Sequence, residues 1–148
     1  MSKIAVVYWS GTGNTQAMAQ AVADGIQAKG GEAVLFTAPE FGPEQMDDFS
    51  AIAFGCPSMG AEQLEESEFE PMFSTCETKL ASKKIALFGS YGWGDGEWMR
   101  TWEERCGEDG ARLTWESVIC NGYPDEDALA ACEALGGSLV MTEPQFIP

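Results

Sequence analysis

The chain has 148 residues, of which 45% are hydrophobic, and this is the size of one ordinary globular domain with its own core. A formal net charge of −16 repels the phosphates of nucleic acids and of anionic lipids, which argues against both as partners and favours basic proteins or small molecules. The five cysteines are never spaced as C-x-x-C, so we expect reduced thiols and neither a disulfide framework nor a metal cluster. The chain has no histidine, the commonest general base and metal ligand.

The N-terminal segment MSKIAVVYWSGTG holds one short apolar run before it becomes polar. That run is too short for the core of a secretion signal and far too short to span a bilayer. We therefore expect a cytoplasmic protein that makes no membrane contact.

Short apolar runs alternate with helical patterns along the chain. The runs at residues 4–9, 33–36, 52–54, 83–91 and 112–120 predict strands. Helices are predicted around Met18, Val22 and Ile26, whose spacing marks one helical face, and over residues 69–79, 96–107 and 125–140. Between the second and third strands, Pro39 and Pro43 disfavour anything longer than one helical turn.

The predicted strands are apolar on both faces, which is typical of the interior of a parallel sheet covered by helices on either side. Five such strands joined by right-handed crossovers make a doubly wound three-layer α/β sandwich with a five-stranded parallel sheet. We assign residues 1–141 to one domain and residues 142–148, which contain two prolines, to a loosely ordered tail.

The loop after the first strand, SGTGNT at residues 10–15, has the composition of a phosphate cradle. Gly11 and Gly13 permit tight backbone turns, the hydroxyls and amides can point at one centre, and the following helix adds the positive end of its dipole. The loop lacks the lysine of a Walker motif and the third glycine of a dinucleotide fingerprint, so a single phosphate is expected. The alternative is an ordinary strand-to-helix turn with Asn14 or Thr15 as N-cap.

Two large apolar side chains stand in the loops after the third and fourth strands. Met59 precedes a glycine, and Trp93 lies between Gly92 and Gly94. Ligands bind at the carboxyl ends of the strands in open α/β sheets, so this pair can grip a flat ring from both faces. The alternative is that both side chains belong to the core.

Three segments carry a resemblance to a known family: SGTGNT after the first strand, MGAEQLEESEFEPMF after the third and FGSYGWGDGEWM after the fourth. Together and in this order they resemble the short-chain flavodoxins of anaerobic bacteria, over roughly residues 1 to 141. The sheet order 2-1-3-4-5, with FMN at the switch point, is the known flavodoxin arrangement and is taken here from the resemblance.

The resemblance implies a role for each loop in holding non-covalently bound FMN. Met59 and Trp93 would sandwich the isoalloxazine ring, and Glu62 would accept a hydrogen bond from flavin N3. The Gly60 carbonyl would face flavin N5. Backbone groups near Tyr91, Gly92 and Asp95 would meet the pyrimidine edge, and the phosphate would be held by Ser10, Thr12, Asn14, Thr15 and Ser90.

One position departs from the family pattern. A serine often stands two residues before the flavin-facing residue of the third-strand loop, and this chain has Pro57 there. Its contact with the phosphate is lost unless Ser58 replaces it. Ala61 likewise replaces a frequent acidic residue and leaves Glu62 as the neighbouring carboxylate.

The implied function is one-electron transfer at low potential, between the semiquinone and hydroquinone states of FMN, by a monomer that donates electrons to redox enzymes with basic docking surfaces. Carboxylates on the two flavin loops would lower the potential. The alternative is a small flavin-dependent reductase with its own substrate, against which stand the missing histidine and the missing second nucleotide motif. A signalling receiver would need paired acids after the first strand, and a small phosphatase would need a cysteine in its first loop; neither is present.

Overall fold

The computed structural model describes residues 2–140. The predicted tail at residues 142–148 lies outside the described residues. None of the described helices is both long enough and apolar enough to cross a membrane.

A parallel sheet forms the middle layer. Its strands are β1 (Lys3–Tyr8), β2 (Glu32–Thr37), β3 (Ala51–Gly55), β4 (Lys84–Tyr91), β5 (Arg112–Leu113) and β6 (Val118–Asn121). The order is β2-β1-β3-β4-β5, with β6 also paired to β4, so the strand order implied by the resemblance is confirmed. The direction of the connections changes at β1 and β3, and the loops that leave these strands at their carboxyl ends diverge there.

The fifth strand position differs from the prediction of one strand over residues 112–120. β5 pairs with the first half of β4 and β6 with its second half, and residues 114–117 separate them. The run RLTWESVIC contains three polar residues, Thr114, Glu116 and Ser117, between its apolar ones. At the edge of a sheet these side chains can reach solvent, so the strand breaks there without burying unpaired polar groups.

Helices cover both faces of the sheet. They are α1 (Asn14–Ala28), α2 (Pro43–Met46), α3 (Phe69–Cys76), α4 (Glu97–Glu108) and α5 (Glu126–Val140). α1 and α5 pack on one face with Ala51 and Ala53 of β3, and α3 and α4 pack on the other with Ile52 and Phe54. This alternation confirms burial on both sides for the central strands β1, β3 and β4. The edge strands β2, β5 and β6 are partly exposed, so the prediction of two buried faces is wrong for them.

α1 and α5 approach so closely that two glycines are required. A Cβ at Gly25 would lie 2.0 Å from the carbonyl oxygen of Glu133, and one at Gly136 would lie 2.1 Å from that of Val22. On the other face, rings fill the core, with Trp102 edge-on to Phe69 and Phe73. All five cysteines are free thiols, and all but Cys120 are buried.

Candidate functional site

A cleft lies at the carboxyl edge of the sheet, where the loops after β1, β3 and β4 meet. It has a volume of about 240 Å³. Each of the three predicted loops contributes to its wall: Gly11, Thr12 and Asn14 from the first, Pro57, Ser58 and Met59 from the second, and Ser90, Tyr91 and Gly92 from the third.

The first loop is held by Ser10, which acts as a cap from outside the helix. Gly13 is the N-cap of α1 with φ +99°, a conformation open to glycine, and it offers no side chain. The Ser10 hydroxyl oxygen instead accepts hydrogen bonds from the amides of Gly13, at 3.1 Å, and Gln16, at 3.2 Å. The alternative N-caps, Asn14 and Thr15, are therefore wrong, since both lie in the first helical turn.

Thr15 and Ser90 join this loop to β4. Their hydroxyl oxygens are 3.1 Å apart, and the two residues are 1% and 4% exposed. One hydroxyl hydrogen is used between them, so one is left to donate elsewhere. We call residues 10–15 together with Ser90 the polar end of the cleft.

Two residues that line the cleft, Trp9 and Gly122, were not among the predicted site residues. Trp9 was assigned only to the first strand, but its indole nitrogen donates to the Glu68 carboxylate at 2.9 Å and so ties the first loop to the loop after β3. Gly122 follows β6, and its amide donates to the Tyr91 carbonyl at 2.9 Å. Its place directly after the last predicted strand was the available signal, since that loop also leaves a carboxyl end.

The loop after β3 forms a small hairpin at its tip. Met59 and Gln63 exchange backbone hydrogen bonds of 2.8 and 2.9 Å. Gly60 and Glu62, between them, both have φ +53°. Glycine adopts this conformation at no cost, whereas Glu62 holds it with a side chain, which is uncommon and marks a constrained turn.

Glu65 anchors the base of the same loop and is only 6% exposed. Its carboxylate accepts hydrogen bonds from the amides of Ser67, Glu68 and Phe69 and from the Ser67 hydroxyl, and so caps the start of α3. Its own amide contacts the Cys56 sulfur at 3.3 Å. Burial raises the pKa of Glu65, but these hydrogen bonds outweigh it and hold the pKa below its ordinary value.

Met59 and Trp93 are not core residues. Met59 is 37% exposed and Trp93 is 61% exposed, whereas Trp98 and Trp102, which do belong to the core, are 1% and 2% exposed. An aromatic ring with this exposure is available to a ligand. We call residues 59–62 together with residues 93–95 the open end of the cleft.

Three carboxylates meet at the open end. Oxygens of Glu62, Asp95 and Glu97 lie within 4.8 Å of one another, and Asp95 is also paired with Arg100 at 3.1 Å. The Glu62 Oε1 atom is buried and has no hydrogen-bond partner among the described residues. A Cβ at Gly94 would lie 2.6 Å from the Glu62 carboxylate carbon, so any other residue at this position would clash with the Glu62 side chain.

The structure thus divides the predicted site residues into three groups. Nine line the cleft itself. Three others do not line the cleft but form hydrogen bonds that hold its polar end, and these are Ser10, Gly13 and Thr15. The other five form the open end beside the cleft: Gly60, Glu62, Trp93, Gly94 and Asp95.

The chain matches known proteins over nearly its whole length. The family model described as Flavodoxin matches residues 6–136. A flavodoxin of Clostridium beijerinckii is 45% identical over 82% of this chain and 88% of its own length, and one of Megasphaera elsdenii is 40% identical over 90% and 95%. The solution structure of two-electron reduced Megasphaera elsdenii flavodoxin superposes with a TM-score of 0.86 at 39% identity, over 93% of this chain and 98% of that one. The chain therefore belongs to the flavodoxin family, whose members are FMN-containing electron-transfer proteins rather than enzymes.

Proposed function

We propose that this flavodoxin holds FMN across the cleft, with the phosphate at the polar end and the ring at the open end, and works as a low-potential one-electron carrier. The observation that carries the proposal is the composition of the cleft: its wall contains the hydroxyl and amide groups of Thr12, Asn14, Ser58 and Ser90. Two exposed apolar side chains accompany them, Met59 in the wall and Trp93 beside it.

The polar end suits a phosphate held by neutral donors. The Ser10 oxygen accepts from two amides, which leaves its hydroxyl hydrogen free to donate. The amides of Asn14 and Thr15 open α1 and have no helical carbonyl to bind. Thr12 and Ser58 line the cleft, so Ser58 takes the place of the serine that Pro57 replaces. A phosphate here would satisfy these donors and meet the positive end of the helix dipole.

The open end suits a flavin ring. Met59 and Trp93 supply the two apolar contacts, and the unpartnered Glu62 Oε1 supplies an acceptor for the flavin N3 hydrogen. We also propose that the Gly60 carbonyl faces flavin N5. Backbone groups of Tyr91, Gly92 and Asp95 would meet the pyrimidine edge of the ring. Bound FMN supplies the redox chemistry, and these residues bind and orient it.

The carboxylates around the open end favour a low potential. Two unit charges about 10 Å apart at an effective dielectric of about 20 repel by about 1.7 kcal/mol before salt screening. Glu62, Asp95 and Glu97 lie together here, so negative charge added on reduction forms among them. Each near carboxylate lowers the potential by tens of millivolts at about 59 mV per tenfold change for one electron.

The same charge identifies the kind of partner. With a net charge of −16, the protein attracts redox proteins that have basic docking surfaces, and it repels nucleic acids and anionic membranes. We further propose that it acts as a monomer in the cytoplasm. The second-order rate of electron transfer to a basic partner should fall as ionic strength rises from about 10 to 200 mM; a rate that does not change would show that the charge serves solubility alone.

Stepwise anaerobic reduction of the purified protein, monitored by absorbance, tests the proposal that it is an electron carrier. A yellow protein that becomes blue at half reduction and pale at full reduction, with two separate midpoint potentials, is the expected result. Colourless protein from a flavin-replete host, with no affinity for added FMN, would contradict the proposal.

A further inference from the structure

A second and larger depression lies beside the cleft, at the edge of the sheet. We call it the edge groove, and it has a volume of about 610 Å³. It runs from the turn between β5 and β6, along β6, to the first turns of α5. Tyr91 lines both the edge groove and the cofactor cleft, so the two depressions adjoin.

The edge groove exposes three large apolar side chains. Trp115 is 47% exposed, Ile119 is 37% exposed and Tyr123 is 68% exposed. Nothing in the fold requires Trp115 or Tyr123 to be apolar, because both lie in turns at the surface. Exposed Trp and Tyr at the rim of a concave surface are typical of protein interaction sites, where they supply much of the binding energy.

The charge of the edge groove is of one sign. Glu116, Asp125 and Asp127 line it, and no lysine or arginine is among the described residues that do so. Asp125 is already used as a helix cap, since its carboxylate accepts from the Ala128 amide at 2.9 Å. The side chains of Glu116 and Asp127 are exposed and make no hydrogen bond or ion pair within residues 2–140, so both carboxylates are available to an outside cation.

We propose that the edge groove docks a lysine- or arginine-bearing segment of a redox partner. The aliphatic stems and cationic groups of that segment would lie on Trp115 and Tyr123, and Glu116 and Asp127 would neutralise its charge. Because Tyr91 is shared between the groove and the cleft, a segment held there places the partner next to the cofactor. The inference rests on the proposed carrier function and adds to it a location for the partner.

The opposite edge of the sheet provides matched controls. β2 is the strand at that edge, and its Leu35 is 39% exposed, nearly the same as Ile119. Glu32, also on β2, is exposed and carries the same charge as Glu116 and Asp127. Leu35→Ala therefore removes about as much exposed apolar surface as Ile119→Ala, and Glu32→Gln removes one negative charge, as Glu116→Gln or Asp127→Asn alone does. Both controls lie at a distance from the edge groove.

The test is a titration of the protein as isolated with a capped hexapeptide of alternating leucine and arginine, observed by ¹⁵N–¹H NMR at low ionic strength. We expect the shifts to concentrate on residues 115–128. Trp115→Ala and Ile119→Ala should each weaken binding about two- to fivefold, and Glu116→Gln and Asp127→Asn, made singly, should each do so by a similar factor. Leu35→Ala and Glu32→Gln should leave the affinity unchanged. The same hexapeptide with glutamine in place of each arginine should not bind.

Other results would overturn the inference. Shifts confined to residues 59–68 and 93–97 would place the cation at the open end instead of the edge groove. Equal losses in the β2 variants would make the attraction nonspecific. Sedimentation of the protein as a dimer that Trp115→Ala dissociates would make a second copy the occupant, and a tenfold gain in affinity on deletion of residues 141–148 would make the chain's own tail the occupant. FMN content and potentials are measured in the same samples, so a protein that carries electrons without binding peptide at the edge groove disproves only the docking site.

Discussion

The two ends of the cofactor cleft are built in opposite ways. At the polar end, the hydroxyls of Ser10, Thr15 and Ser90 form hydrogen bonds with other groups of the protein, and two of these residues are almost fully buried. At the open end, Trp93 is 61% exposed and the Glu62 Oε1 atom has no partner. The difference indicates that the polar end is organised by the fold, and we propose that FMN completes the open end.

This comparison separates the expected effects of mutation. Substitutions at the polar end should destabilise the apoprotein as well as weaken FMN binding. Substitutions at the tip of the open end should weaken FMN binding and leave the apoprotein stable. The anchor of the open end, Glu65, should behave like the polar end because it is buried and fully hydrogen-bonded.

The largest expected effect is at this anchor. Glu65→Gln would place an amide group opposite backbone N–H donors and should lower the free energy of unfolding of the apoprotein by about 2 to 3 kcal/mol at pH 7. The folded-state pKa of Glu65 is depressed below its ordinary value of 4.5, so its stabilisation is present above that pH and is lost as pH falls through the folded-state pKa. Urea unfolding of both proteins from pH 7 to pH 3 should therefore show the difference shrinking below about pH 4.5.

The control for this substitution is Glu66→Gln, because Glu66 is exposed and forms one side-chain hydrogen bond, with Gln63 at 3.2 Å. It should change stability by less than about 0.5 kcal/mol. A pH-independent difference between wild type and Glu65→Gln would show that the effect is one of packing and not of the carboxylate.

Trp93→Ala tests the tip of the open end. It removes one face of the proposed ring contact, and stacking on an aromatic side chain contributes about 1 to 3 kcal/mol, so FMN should bind about ten- to a hundredfold more weakly. The unfolding free energy of the apoprotein should not change, because the side chain is mostly exposed. Fluorescence titration of folded apoprotein measures the affinity, and Trp115→Ala, which removes another exposed tryptophan outside the cleft, should leave it unchanged.

Thr15→Val tests the polar end. It keeps the shape of the side chain but leaves the buried Ser90 hydroxyl without its partner, and should cost the apoprotein about 1 to 2 kcal/mol. Thr12→Val, at an exposed position in the same loop, should weaken FMN binding without this loss of stability. If Thr15→Val unfolds at the same urea concentration as Thr12→Val and the wild type, the polar end is not organised before FMN binds. The contrast between the polar end and the open end would then be wrong.

The smallest expected effect is at Gly60. A Cβ there would meet nothing within 4 Å, so only the backbone conformation at φ +53° opposes a side chain. Gly60→Ala should cost about 1 kcal/mol of apoprotein stability, and Gly60→Asn clearly less, because asparagine tolerates the left-handed region. If urea unfolding shows that the two variants lose equal stability, the positive φ at Gly60 is not what opposes a side chain there.

Much of the site could be predicted because it is local in sequence. The glycines and hydroxyls of residues 10–15 follow a strand directly, and strand ends of a parallel sheet share one edge. The predictions that were wrong concerned the partners of individual side chains. The alternative interpretation of the loop placed the N-cap of α1 at Asn14 or Thr15, but Ser10 reaches back to the helix because Gly13 turns the chain at φ +99°.

Long-range pairs could not be predicted in the same way. Trp9 meets Glu68, and Thr15 meets Ser90, across separations of 59 and 75 residues, and no periodicity or spacing encodes such pairs. The break between β5 and β6 is of the same kind, since it depends on each half pairing with a different part of β4.

The sequence by itself determined the layers, the loops that bear the site and the acidic character of the protein, because apolar periodicity, glycine placement and charge are properties of neighbouring residues. Only the tertiary structure decided which hydroxyls are paired, that the Glu62 Oε1 atom has no partner among the described residues and where a groove opens at the sheet edge. These depend on the register of β4 against β3 and β6 and on the packing of α5 beside β6, which bring together residues far apart in the chain.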